Sequence, residues 1–222
     1  NTGRKPKNLW TDNGNGNQIT YFRAIDERDE ARFVIEQIQA LDSRPDVKLG
    51  DMAVLYRTNT QSRVFEEMLI KSGIGYNIVG GTKFYERKEI KDIIAYLRVI
   101  FNPNDSLSLL RIINVPRRGI GDATLAKLQA YAEENNMNLF DVVSASGDVP
   151  GLSSRFVGKL EELSSIIFEL MGEANSGEVP VKQLIDNVMT KTGYLEELEN
   201  SKSAQDQSRV ENLKELLSVA ED

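Results

Sequence analysis

Two short segments of this 222-residue chain concentrate groups able to hold phosphate. The first is Tyr56-Arg57-Thr58-Asn59-Thr60-Gln61-Ser62-Arg63. It lies where a compact apolar run gives way to a helical pattern. The free N–H groups of a helix start and the guanidinium of an arginine then meet at one place, which suits phosphate oxygens. Asn59 and Gln61 add hydrogen-bonding capacity without charge. The same residues also read as an ordinary helix start, with Thr60 as N-cap and the arginines in solvent. The second segment is Arg117-Arg118-Gly119-Ile120-Gly121-Asp122-Ala123-Thr124, set between two amphipathic helical patterns. It has the form of a helix-hairpin-helix. Two glycines allow close backbone approach to a phosphate, with a helix N-terminus behind them. Ile120 is placed to plug the gap between the helices. Such a turn grips a duplex backbone without reading bases. The alternative role is structural, with Asp122 capping the next helix.

A third feature is a basic helix face. Arg87, Lys91 and Arg98 share one side of a helix over 87–101, opposite Ile90, Ile94 and Leu97. Residues 83–118 hold eight Lys/Arg against four Asp/Glu. A charge stripe of this kind reads as solvated surface or as a nucleic-acid face. Glu161-Glu162 and Glu196-Glu197 are paired carboxylates on helical faces with no neighbouring ligand set, so neither metal binding nor acid–base work is expected of them. Trp10 is a lone aromatic beside a loop, expected to pack. Gln207-Ser208-Arg209-Val210-Glu211-Asn212-Leu213 reads as a helix start with i,i+4 support. The phosphate loop Gly-x-x-x-x-Gly-Lys-Ser/Thr is absent, since Gly158-Lys159 is followed by Leu160. No catalytic residue and no bound cofactor is therefore expected in the chain itself.

The elements that must position these groups change character along the chain. Residues 1–17 form a polar lead-in with a turn signal at Asn13-Gly14-Asn15-Gly16. Ile19–Arg23, Met52–Tyr56 and Tyr76–Val79 read as strands. Between them run two helical patterns, one capped by Asp26 and one ending at Gly73. Alternation of this kind predicts an α/β unit with a partial parallel sheet over residues 18–79. From Gly80-Gly81 onward the pattern is helical. Ile90, Ile93, Ile94 and Leu97 mark one helix, Leu107, Leu110 and Ile113 a second, and Leu125, Leu128 and Ala132 a third. Further helices are expected at 154–172, 180–191 and 204–220. The expected organisation is a lead-in at 1–17, an α/β part at 18–79 and an all-α part at 80–222.

Composition narrows the chemistry. Hydrophobic residues make up 40% and charged residues 27%, enough apolar content for a core. There is no cysteine and no histidine, which excludes disulfides, thiolate chemistry, histidine triads and HExxH-type zinc sites. No apolar run approaches the ~18–20 residues of a membrane span, and no secretory leader is visible. A cytoplasmic protein is expected. The net charge of −7 divides unevenly: residues 1–121 carry 19 Lys/Arg and 15 Asp/Glu (+4), and residues 122–222 carry 8 and 19 (−11). A local basic face therefore survives an acidic mean. The chain starts without Met and a helical pattern still runs at Asp222, which reads as a piece of a longer protein.

These residues resemble the UvrD/Rep/PcrA group of superfamily 1 helicases over essentially the whole chain, nearest the PcrA branch of Gram-positive bacteria. Ala53-Val54-Leu55-Tyr56-Arg57-Thr58-Asn59 with Gln61-Ser62-Arg63 is similar to the group's single-strand-contacting motif in subdomain 2A. Gly80-Gly81-Thr82-Lys83-Phe84-Tyr85-Glu86-Arg87-Lys88-Glu89-Ile90-Lys91-Asp92 resembles the passage into subdomain 2B. Asn114-Val115-Pro116-Arg117-Arg118-Gly119-Ile120-Gly121 resembles the duplex-binding motif, and Gln207-Ser208-Arg209 with Glu211-Asn212-Leu213 a further 2B motif. The resemblance implies a parent that moves 3′ to 5′ on single-stranded DNA with ATP and Mg²⁺ and separates duplex ahead of it. Arg57 and Asn59, with Tyr56, Gln61 and Ser62 in the same motif, would hold the single strand. Gly119, Ile120, Gly121 and Thr124, preceded by Arg117 and Arg118, would hold the duplex, with Lys91 as a neighbouring phosphate contact. Gly80 and Gly81 would serve as a hinge. The nucleotide-binding motifs lie outside this chain, and so do the later strands of the sheet, so the α/β part is expected to be incomplete. The implied partners are single-stranded DNA, duplex DNA and the rest of the motor core, with no membrane and no need for more than a monomer. Two other readings stand beside this one: a stand-alone duplex-binding helix-hairpin-helix module, and an acidic helical protein-interaction adaptor.

Overall fold

The structure, a computed structural model, describes residues 10–12, 14 and 16–220. It divides into two units, one ending at Ala53 and one beginning at Val54. In the first, helix α1 (Glu27–Asp42) starts at Asp26, whose carboxylate accepts from the Asp29 N–H at 2.7 Å. This satisfies one of the orphan donors of the first turn. Ala31 and Ile35 are its buried positions, and Phe22 stacks on Phe33 at 4.0 Å. Trp10, expected to pack, is 81% exposed.

The second unit carries the remaining helices. These are α2 (Ser62–Lys71), α3 (Lys88–Phe101), α4 (Ser106–Ile112), α5 (Asp122–Asn135), α6 (Leu139–Ser144), α7 (Ser154–Ser176), α8 (Val181–Lys191), α9 (Tyr194–Glu199) and α10 (Ala204–Val219). The helical patterns read at 154–172, 180–191 and 204–220 appear as α7, α8 and α10. Helix α3 is the axis of the unit. Ile90, Ile93, Tyr96, Val99 and Ile100 line it at 3% exposure or less, and α4, α7, α8 and α10 pack around it. A stripe this wide suits a helix covered on several sides. Full burial of each large side chain contributes about 1.5–3 kcal/mol.

The partial parallel sheet expected over 18–79 is not there. Among the described residues there is no strand and no ladder; the fold is helical. Of the segments read as strands, Met52–Tyr56 begins with extended backbone at Met52 (φ −103°, ψ 141°). Two of the three keep a two-residue alternation: Met52, Val54 and Tyr56 are half-buried and Ala53 and Leu55 exposed, Tyr76 and Ile78 are half-buried and Asn77 and Val79 exposed, whereas Ile19–Arg23 is exposed throughout. What they lack is partners. A helix satisfies its own backbone, but a strand forms only against another strand. Apolar alternation therefore signals a preference for pairing without supplying a neighbour. Ile19, Leu55 and Val79 are all more than 90% exposed, as follows from unpaired segments.

Candidate nucleic-acid interface

The 56–62 segment forms a tight turn leading into α2. The Gln61 side-chain carbonyl accepts from the backbone N–H groups of Arg57 (2.9 Å) and Thr58 (3.1 Å), and the Gln61 N–H donates back to the Thr58 carbonyl at 3.1 Å. The turn is thus closed by Gln61 rather than capped by Thr60. Ser62 is 2% exposed; its hydroxyl donates to the Glu66 carboxylate at 2.7 Å and lies 2.9 Å from the Asn59 carbonyl. Arg57 and Asn59 are exposed and Tyr56 is half-buried. Arg63 is not in solvent. At 4% exposure it donates to Glu215 (2.5 Å) and Glu67 (2.9 Å). Burial alone would lower its pKa, but the hydrogen bonds it donates to these carboxylates, and their charges, outweigh that and leave it raised.

Arg87, assigned by spacing to the basic face of α3, is buried at 7% exposure. Its guanidinium donates to the Asn59 carbonyl (2.9 Å), the Ser62 hydroxyl (2.9 Å) and the Asn212 side-chain carbonyl on α10 (2.7 Å). The Asn212 amide donates in turn to Glu89 at 2.6 Å. Burial depresses the Arg87 pKa, against the opposing pull of Glu66 and Glu89. Lys91 and Arg98 remain exposed on α3.

The hairpin lies between α4 and α5. The Asn114 side-chain carbonyl accepts from the N–H groups of Arg118 (2.9 Å) and Ile120 (3.2 Å), closing the turn from inside. The Arg118 guanidinium donates to the carbonyls of Ile112 (3.1 Å), Ile113 (3.4 Å) and Pro116 (3.4 Å), and to the Tyr96 hydroxyl at 2.9 Å. Tyr96 donates to the Val115 carbonyl. Glu197 on α9 accepts from the Arg117 N–H at 3.0 Å. Ile120 is 1% exposed and fills the space between the helices.

Gly119 has φ +78°, a conformation that L side chains avoid. Gly121 is the N-cap of α5 with ordinary extended dihedrals. A Cβ added at either glycine would meet nothing within 4 Å, so the outer face of the turn is open. Thr124 is buried at 7% exposure, with its N–H donating to the Gly121 carbonyl at 2.9 Å. The two arginines that look equivalent in sequence therefore differ: Arg118 braces the turn from behind, and Arg117 is exposed. A cleft of about 590 Å³ beside the hairpin has mixed charge, with Lys88, Arg117 and Arg209 facing Glu197 and Asp206.

Asn114, Tyr96 and Asn212 gain their roles from the tertiary structure and not from spacing, and Arg87, which spacing puts on a basic helix face, is a buried brace instead. Tyr96 carried one usable signal: a hydroxyl on an otherwise apolar helix stripe requires a buried partner. Helix α3 reaches both segments. Arg87, at its N-cap, holds the 56–62 turn, and Tyr96, nine residues on, holds the hairpin. The rise between them is about 14 Å at 1.5 Å per residue. Among the described residues, no group of three or more His, Cys, Asp or Glu side chains is placed to hold a metal ion, and no helix is long and apolar enough to cross a membrane.

The chain belongs to the UvrD-like helicase C-terminal domain family, which it matches over residues 1–222. Over the same 222 residues it is 47% identical to proteins named ATP-dependent DNA helicase PcrA from Staphylococcus epidermidis (strain RP62A) and Staphylococcus aureus (strain Mu50). It spans 30% of the length of each of these relatives.

Proposed function

We propose that this chain is the DNA-contacting part of an ATP-dependent 3′–5′ DNA helicase, with two separate grips. Single-stranded DNA lies against the 56–62 turn, where Arg57 and Asn59 are exposed and Tyr56 is partly so. Gln61 and Ser62 contribute by shaping that turn, since their polar atoms are engaged within it. Duplex DNA lies against the hairpin. Gly119 and Gly121 admit a phosphate, Arg117 and Lys91 supply charge, and Arg118, Ile120 and Thr124 hold the turn in place. The observation that carries this reading is the hairpin itself, a glycine turn open on its outer face and braced behind by Arg118, Asn114 and Tyr96. An open turn with glycines at two positions lets a phosphate approach the backbone without choosing bases, as a translocase requires.

The helicase reaction of this reading needs ATP and Mg²⁺, and this sequence has no phosphate loop to hold the nucleotide. In this reading both are held by the remainder of the longer protein, and the chain alone hydrolyses no nucleotide. A monomer in the cytoplasm suffices. The test is binding of a single strand, a blunt duplex and a junction across a salt series. A linear fall of log affinity with log salt on all three substrates is expected. Failure to bind any of the three at low salt would favour the adaptor reading instead.

A further inference from the structure

We infer that Arg87 is a positioning residue for the single-strand turn, fixing Asn59 and its neighbours on the helical body without itself touching DNA. This rests on the reading of the 56–62 turn as a single-strand contact. Within the turn, the hydrogen bonds of Gln61, Thr58 and Thr60 are local, spanning four residues or fewer. They set its shape but not its place. Arg87 supplies the place, together with Arg63 at the end of the turn, which donates to Glu215 on α10 at 2.5 Å. One guanidinium nitrogen reaches both the Asn59 carbonyl and the Ser62 hydroxyl, and another reaches Asn212 on α10. The Nε hydrogen points to the Thr82 carbonyl at 3.5 Å, and the guanidinium carbon lies 5.2 Å from the centre of the Phe84 ring.

A planar fork with several fixed donors meets four acceptors on three segments, the 56–62 turn, Thr82 and α10, a task a lysine ammonium cannot reproduce. Asn59 uses its backbone carbonyl for this contact, which leaves its side chain available. A DNA strand laid on an unanchored turn would have to order it first, at a cost in affinity. Arg87 is 7% exposed, so a bound strand does not meet its charge.

The test measures binding of an oligothymidine single strand and a blunt duplex to the 222-residue chain across a salt series, together with amide hydrogen exchange. Arg87→Met is expected to lower single-strand affinity about tenfold, the size of one net hydrogen bond to a charged group. Arg87→Lys should fall between Met and wild type. Duplex affinity should hold, and the salt slope for the single strand should not change, because no phosphate contact is lost. Arg57→Ala, by contrast, should reduce that slope by about 0.7. Exchange should quicken at the amides of Arg57 and Thr58 in the Arg87 variants. Should Arg87→Met not fold, Asn212→Ala removes one anchor alone and should give a smaller loss of the same kind. Arg57→Ala weakening the strand while the Arg87 and Asn212 variants leave both affinity and exchange unchanged would overturn this inference and spare the functional reading. Equal losses on strand and duplex would also overturn it, as general destabilisation. A wild-type chain that retains no single strand would overturn both.

Discussion

Arg87 at the N-cap of α3 and Tyr96 within it stand nine residues apart, each bonded to the backbone or side chain of a different candidate DNA grip. Arg87 holds the turn at Asn59, and Tyr96 shares the hairpin with Arg118. A helix is stiff over the ~14 Å between them, so α3 sets the spacing of the two grips. Lys91, exposed between these anchors, is placed to add charge along that span.

The two hairpin glycines should respond differently to alanine. Gly119→Ala forces a side chain into positive φ and should destabilise the chain by about 1–2 kcal/mol as well as weaken duplex binding. Gly121→Ala meets no steric obstacle and keeps permitted dihedrals, so the melting temperature should stay near wild type while duplex affinity falls. Thermal melts and duplex titrations on both variants check this. Unchanged duplex affinity in Gly121→Ala would remove the close phosphate approach from the mechanism.

Arg117 and Arg118 should separate along the same line. Arg118→Ala strips donors from three carbonyls and from Tyr96 and should cost about 2–3 kcal/mol. Arg117→Ala should leave stability within about 0.5 kcal/mol and reduce the duplex salt slope by about 1. The opposite assignment of the two losses in denaturant and salt titrations would contradict the geometry.

Asp92 joins three helices. At 1% exposure it accepts from Arg111 on α4 (2.8 Å) and from the Tyr194 hydroxyl on α9 (2.9 Å). Arg111→Ala would leave the carboxylate buried with one neutral donor, and a loss of about 3–5 kcal/mol is expected. Asp92→Ala should cost less, about 2–3 kcal/mol, because the Arg111 side chain is 37% exposed and can turn to water. Chemical denaturation of the two variants ranks these losses directly.

Stability should fall at both ends of the pH scale. Burial, reinforced by Asp92, pushes the Tyr194 phenol above its ordinary value of 10, and burial pushes Tyr96 up as well. The unfolded chain then loses these protons first. This stabilisation is complete below pH 10 and declines as pH rises beyond it. Tyr194→Phe should flatten that alkaline decline. On the acid side, hydrogen bonds from Ser108 hold Asp105 below its ordinary 3.8, and Lys191 holds Glu173 below 4.5. Their contribution is present above those values and is lost as pH falls through the lowered ones. Melting temperatures from about pH 3 to pH 11 test both arms.

Much of the helical body was legible in the sequence because helix formation is local. Apolar residues at a 3.6 spacing placed α3, α7, α8 and α10, Asp26 marked the start of α1, and Ile120 sat where a plug was needed. The strands were not decided this way. Residues 52–56 and 76–79 carry the alternation of a sheet, but a sheet exists only when another strand supplies the ladder, and none does among the described residues. Charge was equally ambiguous. Arg63, Arg87, Arg117 and Arg118 are the same residue type in similar polar surroundings along the chain. Tertiary structure sends Arg63 and Arg87 into a buried network, Arg118 behind a turn and Arg117 to the surface. The sequence determines which side chains can reach a phosphate; the partners gathered around each guanidinium, from segments as distant as Asn59 and Asn212, decide which of them are free to do so.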